Sequence, residues 1–286
     1  MGQRCGDTVR ITTPKIKIAF SGIVRDIFRF RSFIIGSIRR DIQSQYQGSL
    51  LGGTWVILQP LAMIAIYTLV FSNVMRSRLP GIDAAYGYSI YLCAGVLTWG
   101  YFSEGLTRLQ GVFIANSNLL KKAAFPRICL PLIAIGTASF NFFIIFTLFL
   151  LFLLFSGNWP GWTLLAFLAP LIVQIILTTG VGILAATLNV FFRDIGQLVN
   201  VGLLFWFWLT PIVYPMSVLP DWTQGWLWLN PFSILMHHYQ QILLMGQLPD
   251  ALAWQRLALL AAFAILLLAW GWKVYRVRAP EMADEL

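Results

Sequence analysis

The sequence predicts an all-α polytopic membrane protein with six transmembrane helices, and three features predict it. Only 11% of the 286 residues are charged while 58% are hydrophobic, with a mean hydropathy of +0.75. A soluble domain carries roughly 25% charged and 45–50% apolar residues, so this chain has more hydrocarbon surface than a soluble fold can hide. Apolar runs long enough to cross a bilayer, about 20 residues each, recur along the chain. The basic residues, finally, cluster at both ends and in alternate loops.

The arm 1–54 comes first. It holds nine of the 20 basic residues: Arg4, Arg10, Lys15, Lys17, Arg25, Arg29, Arg31, Arg39 and Arg40. Next to a membrane span such a segment reads as a cytosolic anchor against anionic lipid rather than a nucleic-acid-binding arm. Within it Ile23, Ile27, Phe30, Ile34, Ile38 and Ile42 recur every three or four residues. Arg25, Arg29, Arg39, Arg40 and Gln43 fall largely off that stripe, which predicts an amphipathic interfacial helix with its apolar face toward the membrane. Residues 1–20 lack the apolar core of a cleavable signal peptide, so the first span is expected to direct insertion with the amino terminus inside.

The first span is predicted over 55–74 and the second over 88–106. No charge separates Arg127 from Arg193, and those 65 residues are too many for one helix. The turn chemistry of Ser156, Gly157, Asn158, Pro160 and Gly161 divides them into spans at 131–155 and 164–192. A fifth span over 195–209 ends toward Pro211 and Pro215, and a sixth covers 257–272 before a tail, 273–286. Residues 222–249 are also uncharged, but Asn230, His237, His238, Gln240 and Gln241 would be costly in hydrocarbon. They are predicted as short re-entrant or amphipathic outer helices. Six spans put 17 of the 20 basic residues inside and leave Arg76, Arg78 and Arg256 outside, with both termini cytosolic. A seventh span would reverse the basic carboxy-terminal tail.

The sequence also lacks several kinds of chemistry. No lysine follows a glycine, so there is no G-x-x-x-x-G-K-[ST] loop for ATP. Cys5, Cys93 and Cys129 are odd in number and scattered, which speaks against a disulfide framework or a zinc site. On a helix the adjacent His237 and His238 point about 100° apart and cannot easily share a metal. D-x-D and G-x-S-x-G patterns are missing as well. No catalytic residue, metal ligand or cofactor is expected on this chain. Only Glu104 carries a charge within a predicted span, and Arg108 lies four residues on along the same face. The two read as a buried charge pair of structural use rather than a proton relay.

Several strings resemble ABC-2 type transporter permeases. Arg40-Asp41, Tyr46 and Leu50 to Trp55, then Gln59-Pro60-Leu61, are similar to that family's lead-in to span one. Asn118 to Lys122, continuing through Phe125-Pro126-Arg127, resembles its coupling segment, and Asn189 to Asp194 its tight turn between spans four and five. Thr210 to Pro215, Leu219-Pro220 and Asn230-Pro231 resemble its outer re-entrant region. The branch most similar exports lipid-linked surface polysaccharides such as O-antigen, capsule and teichoic acid.

The resemblance implies a homodimer in the bacterial inner membrane, bound to two copies of a separate ABC ATPase that carries ATP and Mg. It implies that Asn118, Leu119, Leu120, Lys121, Lys122, Phe125, Arg127, Arg193 and Asp194 couple to that ATPase. It places spans one and five along a channel at the dimer seam, with Tyr67, Phe71, Phe205, Phe207, Trp208 and Tyr214 toward the substrate. Sugar rings offer apolar C–H faces to such aromatics, although successive residues on a helix cannot all face one channel. The arm helix resembles the family's gate helix, with Arg25, Phe28, Arg29, Phe30 and Phe33 meeting either a lipid-linked headgroup or ordinary membrane lipid. The same architecture also serves ABC-2 exporters of small lipids, drugs or short glycolipids. A membrane scaffold or embedded enzyme is the reading from another class.

Overall fold

Among the described residues every regular element is helical. The computed structural model describes residues 28–45, 47–70, 86–120 and 127–285. The principal helices are α1 (Arg31–Gln45), α2 (Trp55–Thr68), α3 (Gly87–Ala115), α4 (Cys129–Phe155), α5 (Leu168–Phe191), α6 (Asp194–Trp208), α7 (Asp221–Leu227), α8 (Pro231–Met245) and α9 (Ala251–Arg278). The caps follow the sequence closely. Asn230 accepts a hydrogen bond from the Phe232 amide with Pro231 at the first helical position of α8, and Gly246 closes that helix at φ +60°. Asp250 caps α9 through the Ala253 amide at 3.1 Å.

By length and composition α4, α5 with the 3₁₀ turn Gly161–Phe167 before it, and α9 can each cross a membrane. At 14 and 15 residues α2 and α6 are shorter, and α3 is longer, at 29, but carries Glu104 and Arg108. Two helices overrun the expected limits. The second continues from 106 to Ala115, and the last starts at Ala251 and runs to Arg278, past the expected boundary at 272. Nothing in either extension breaks a helix. At the end of α9, moreover, Arg276 and Arg278 meet the negative end of the helix dipole.

The centre of the bundle is α3, in which 19 of 29 residues are buried. It packs on α2, α4, α5, α6 and α8. Its Trp99 and Phe102 join Trp206 of α6 and Phe232 of α8 in an aromatic cluster with ring centroids 4.7–6.2 Å apart. Polar groups inside the bundle are paired across helices. Tyr239 donates to Gln174 Oε1 at 2.6 Å, and Gln174 Nε2 donates to the Thr98 carbonyl at 2.7 Å, with all three residues buried. Helix α5 lies along α9 at a backbone-to-backbone approach made possible by glycines. A Cβ at Gly180 would sit 2.9 Å from the Leu268 nitrogen, and one at Gly271 would sit 3.0 Å from the Gly180 carbonyl oxygen.

The amphipathic arm helix differs from expectation in what covers its stripe. Phe30, Phe33, Ile34 and Ile38 pack on Cys129 and Ile133 of α4. Their apolar surface is taken up by another helix, while Phe28 and Ile35 stay exposed.

Two consequences can be measured. Gly180→Leu should lower stability toward denaturing detergent by about 1–3 kcal/mol, because the obstacle is backbone and cannot rotate away. Tyr239→Phe should cost about 1 kcal/mol by stranding Gln174 Oε1. Adding Gln174→Leu to it should restore part of that loss in a double-mutant cycle.

Candidate translocation and coupling site

On the cytosolic side expected from the charge pattern, α3 ends at Ala115 and a short turn, Ser117–Leu120, follows. The residues of the expected coupling segment have different fates. Asn118 is exposed, Leu119 is half-buried, and Leu120 is only 4% exposed in a core shared with Leu109, Val190, Tyr275 and Met282. Leu120 is therefore a packing residue and not a free docking anchor. Arg127 donates through Nη1 to the Ala279 carbonyl just beyond α9, which ties the start of α4 to the end of the last helix. Lys121, Lys122 and Phe125 lie outside the described residues, as do Phe71 and Arg25.

The turn between α5 and α6 is braced from within the fold. Asn189 Oδ1 accepts from the Gly196 amide at 3.0 Å while its Nδ2 donates to the Gln110 carbonyl at 2.9 Å. Arg193 and Asp194 stand exposed at that turn, with no side-chain hydrogen bond among the described residues. Asp194 opens α6, where its charge suits the helix dipole.

Helix α6 has a single buried residue, Leu203. Phe205 and Trp208, three apart, are 65% and 59% exposed on a face shared with Leu198, Val201 and Leu204. Phe207 points elsewhere, its ring 5.8 Å from that of Trp99. The 100° step per residue thus splits the aromatic run, leaving Phe205 and Trp208 outward and placing Trp206 and Phe207 against the core. Tyr67 of α2 is half-buried against the same core. Tyr214 donates to the Trp208 carbonyl at 2.8 Å and helps to line a recess of about 450 Å³ with Trp206, Thr223, Trp226 and Asn230.

Sequence reasoning did not single out Tyr88 and Tyr91, which hold the chain that follows α6. Tyr88 donates to the Val213 carbonyl at 2.5 Å, and Tyr91 donates to those of Pro211 and Tyr214 at 3.0 and 2.8 Å. Asn230 Oδ1 accepts from the Trp206 indole at 2.9 Å. A three-residue spacing of tyrosines at the start of a helix was the available signal, but it does not name a partner 120 residues away.

Glu104 and Arg108 form an ion pair at 2.8 Å, with side chains 30% and 29% exposed, so the pair is part-exposed rather than buried. Asn141 of α4 also donates to Glu104 Oε1, at 2.6 Å. The gate-helix residues are distributed more loosely. The Arg29 guanidinium lies 5.7 Å from the Phe30 ring centroid, and that of Arg40 lies 6.0 Å from Phe33. In α8, burial and the neighbouring His238 hold His237 below the ordinary imidazole pKa, and burial does the same for His238. His238 Nδ1 is bonded to the Ile234 carbonyl at 2.8 Å, and the rings of the two histidines are nearly perpendicular. No group of three or more metal-ligating side chains occurs among the described residues.

Residues 34–244 match the family model described as ABC-2 type transporter. The chain is 31% identical over 266 residues to the O-antigen export system permease protein RfbA of Myxococcus xanthus, covering 92% of this chain and 99% of that one. It is 30% identical over 211 residues to RfbA of Klebsiella pneumoniae, with coverage of 73% and 79%. It is 22% identical over 244 residues to the polysialic acid transport protein KpsM of Escherichia coli, with coverage of 85% and 92%. An all-helical bundle with apolar spans, matched over most of its length to such permeases, belongs to the ABC-2 type transporter family.

Proposed function

We propose that this chain is the membrane permease of an ATP-driven exporter of lipid-linked surface polysaccharide in the bacterial inner membrane. The observation that carries this reading is the likeness to an O-antigen export permease over 92% of the chain. Six spans, formed by α2, α3, α4, α5, α6 and α9, place both termini in the cytosol and agree with the distribution of basic residues. Helices α7 and α8 then form the outer re-entrant region.

Two copies meet along α2 and α6, with the polymer path between them. The wide uncovered face of α6 supports this reading, since it exposes Phe205 and Trp208 beside aliphatic residues. A hydrophilic polymer needs a continuous path through hydrocarbon. Aromatic faces can follow the C–H faces of successive sugars without holding any one of them tightly. The outer recess, with Trp206, Trp226 and Tyr214 around Asn230 and Thr223, has the same mixture of ring faces and polar atoms.

Energy comes from two copies of a separate ABC ATPase, because the chain has no phosphate-binding loop of its own. The ATPase docks on the segment from Asn118 to Arg127 and on the turn at Arg193 and Asp194. Lys121, Lys122 and Phe125 offer it charge and an apolar anchor. Arg127 and Leu120 pass its movement inward, since they are bonded or packed to the end of α9.

Co-purification with the ATPase encoded beside it should yield a complex whose ATP hydrolysis rises with lipid-linked glycan. Lys121→Glu with Lys122→Glu should abolish both that rise and export while membrane insertion stays normal. Full export by the double variant would refute the coupling assignment. Trp208→Ala should slow export by roughly two- to tenfold at matched protein levels, the scale of one aromatic contact of about 0.5–1.5 kcal/mol. Phe207→Ala should instead lower stability, because its ring packs on Trp99.

A further inference from the structure

A cavity of about 630 Å³, open on one side, lies between α1, the last turns of α3 and the first turns of α4. Its polar lining is Ser37, Arg40, Asp41, Arg108 and Asn116, and the remaining wall is mostly apolar. It is therefore an amphiphilic recess at the end of the bundle where the arm helix sits.

The polar groups are unequally occupied. Arg40 Nη2 donates to Ser37 Oγ at 2.8 Å. Arg108 uses Nε on Glu104 at 2.8 Å, and Glu104 also accepts from Asn141, which fixes the guanidinium and leaves its terminal nitrogens without a partner among the described residues. The Asp41 carboxylate likewise has no hydrogen bond or ion pair among the described residues. Among the described residues two cations and one free carboxylate line the cavity, while Glu104 already balances one of the cations. A diphosphate would bring at least two negative charges up to a carboxylate, which is a poor match. A ligand with one anion and one hydrogen-bonding cation, carried on an apolar stem, matches all three charged groups.

We propose that this cavity holds the headgroup of a phosphoethanolamine-bearing phospholipid of the cytosolic leaflet. Its phosphodiester lies on Arg40 and Arg108, its primary ammonium on Asp41, and its glycerol region against the apolar wall. Bound in this way, the lipid clamps α1 to α3 and α4, so the arm helix is held by lipid as well as by Ile34 and Cys129. The proposal does not depend on what the transporter exports.

Native mass spectrometry of the full-length protein in detergent tests it, with phosphatidylethanolamine, phosphatidylcholine, phosphatidylglycerol and a polyprenyl diphosphate offered at equal concentration. Phosphatidylethanolamine should be retained roughly fivefold over phosphatidylcholine, whose quaternary ammonium cannot donate to Asp41, and over phosphatidylglycerol. Asp41→Asn should remove that preference and Asp41→Glu should keep it. Arg40→Gln should weaken binding of phosphatidylethanolamine by roughly fivefold at an unchanged melting temperature. Equal retention of the three phospholipids, or a preference that survives Asp41→Asn, overturns the proposal. So does displacement by the polyprenyl diphosphate that Arg40→Gln abolishes, which would make the cavity a cargo-headgroup site and leave the export reading intact.

Discussion

A polar side chain inside a membrane bundle has no bulk water to turn to, so it gains by pairing with another group of the protein. That constraint orders the interior around α3, α5 and α8. Threonines fold back on the carbonyl one turn earlier, as Thr137 does to Ile133, Thr178 to Gln174 and Thr187 to Ile183. Where a side chain is too long for that, it reaches across to another helix. Gln174 joins α3 to α8 through Thr98 and Tyr239, and Asn189 joins α5 to both α3 and α6. These links fix the register of helices whose apolar surfaces alone could slide. Four buried atoms have no protein partner among the described residues: Gln110 Oε1, Asn141 Oδ1, Ser233 Oγ and His238 Nε2.

Burial is uneven as a result. Helix α3 is enclosed on nearly every side, whereas α6 has one buried residue, Leu203, packs Trp206 and Phe207 on the core and leaves one whole face exposed. A helix facing only lipid has little use for a paired Phe and Trp beside a braced turn and a pinned outer loop. On the proposed reading the exposed face of α6 is completed by a second copy, and the firm attachment of both its ends keeps that face in place. The tyrosines at the start of α3 secure the chain after the carboxy-terminal end of α6, and Asn189 secures the amino-terminal end of α6.

The end of the bundle that the charge pattern assigns to the cytosol is tied together by interactions distant in sequence. Arg127 reaches Ala279, Phe113 stacks on Tyr275 with ring centroids 5.3 Å apart, and Leu120 shares a core with Met282. A force applied to the segment around Asn118 to Arg127 therefore meets α9, and α9 meets α5 through Gly180 and Gly271 with no side chain between. Close-packed backbone is stiff, and on the proposed reading that stiffness serves as a lever from a soluble ATPase to the membrane path.

The sequence by itself determined the helical class, the turn at Ser156 to Gly161 and the pairing of Glu104 with Arg108, because each depends on composition or on neighbours within about one helical turn. It placed the aromatic run on α6 but could not divide it. Only the packing of Trp99 and Phe232 turns Trp206 and Phe207 inward and leaves Phe205 and Trp208 out. Tertiary structure likewise moved Leu120 from a docking residue to a core residue, gave Arg127 its carbonyl at Ala279 and set the stripe of α1 against α4. In each of these cases the partner is far away in the chain. Local periodicity shows that a helix has an apolar face, but only the folded bundle decides what meets it.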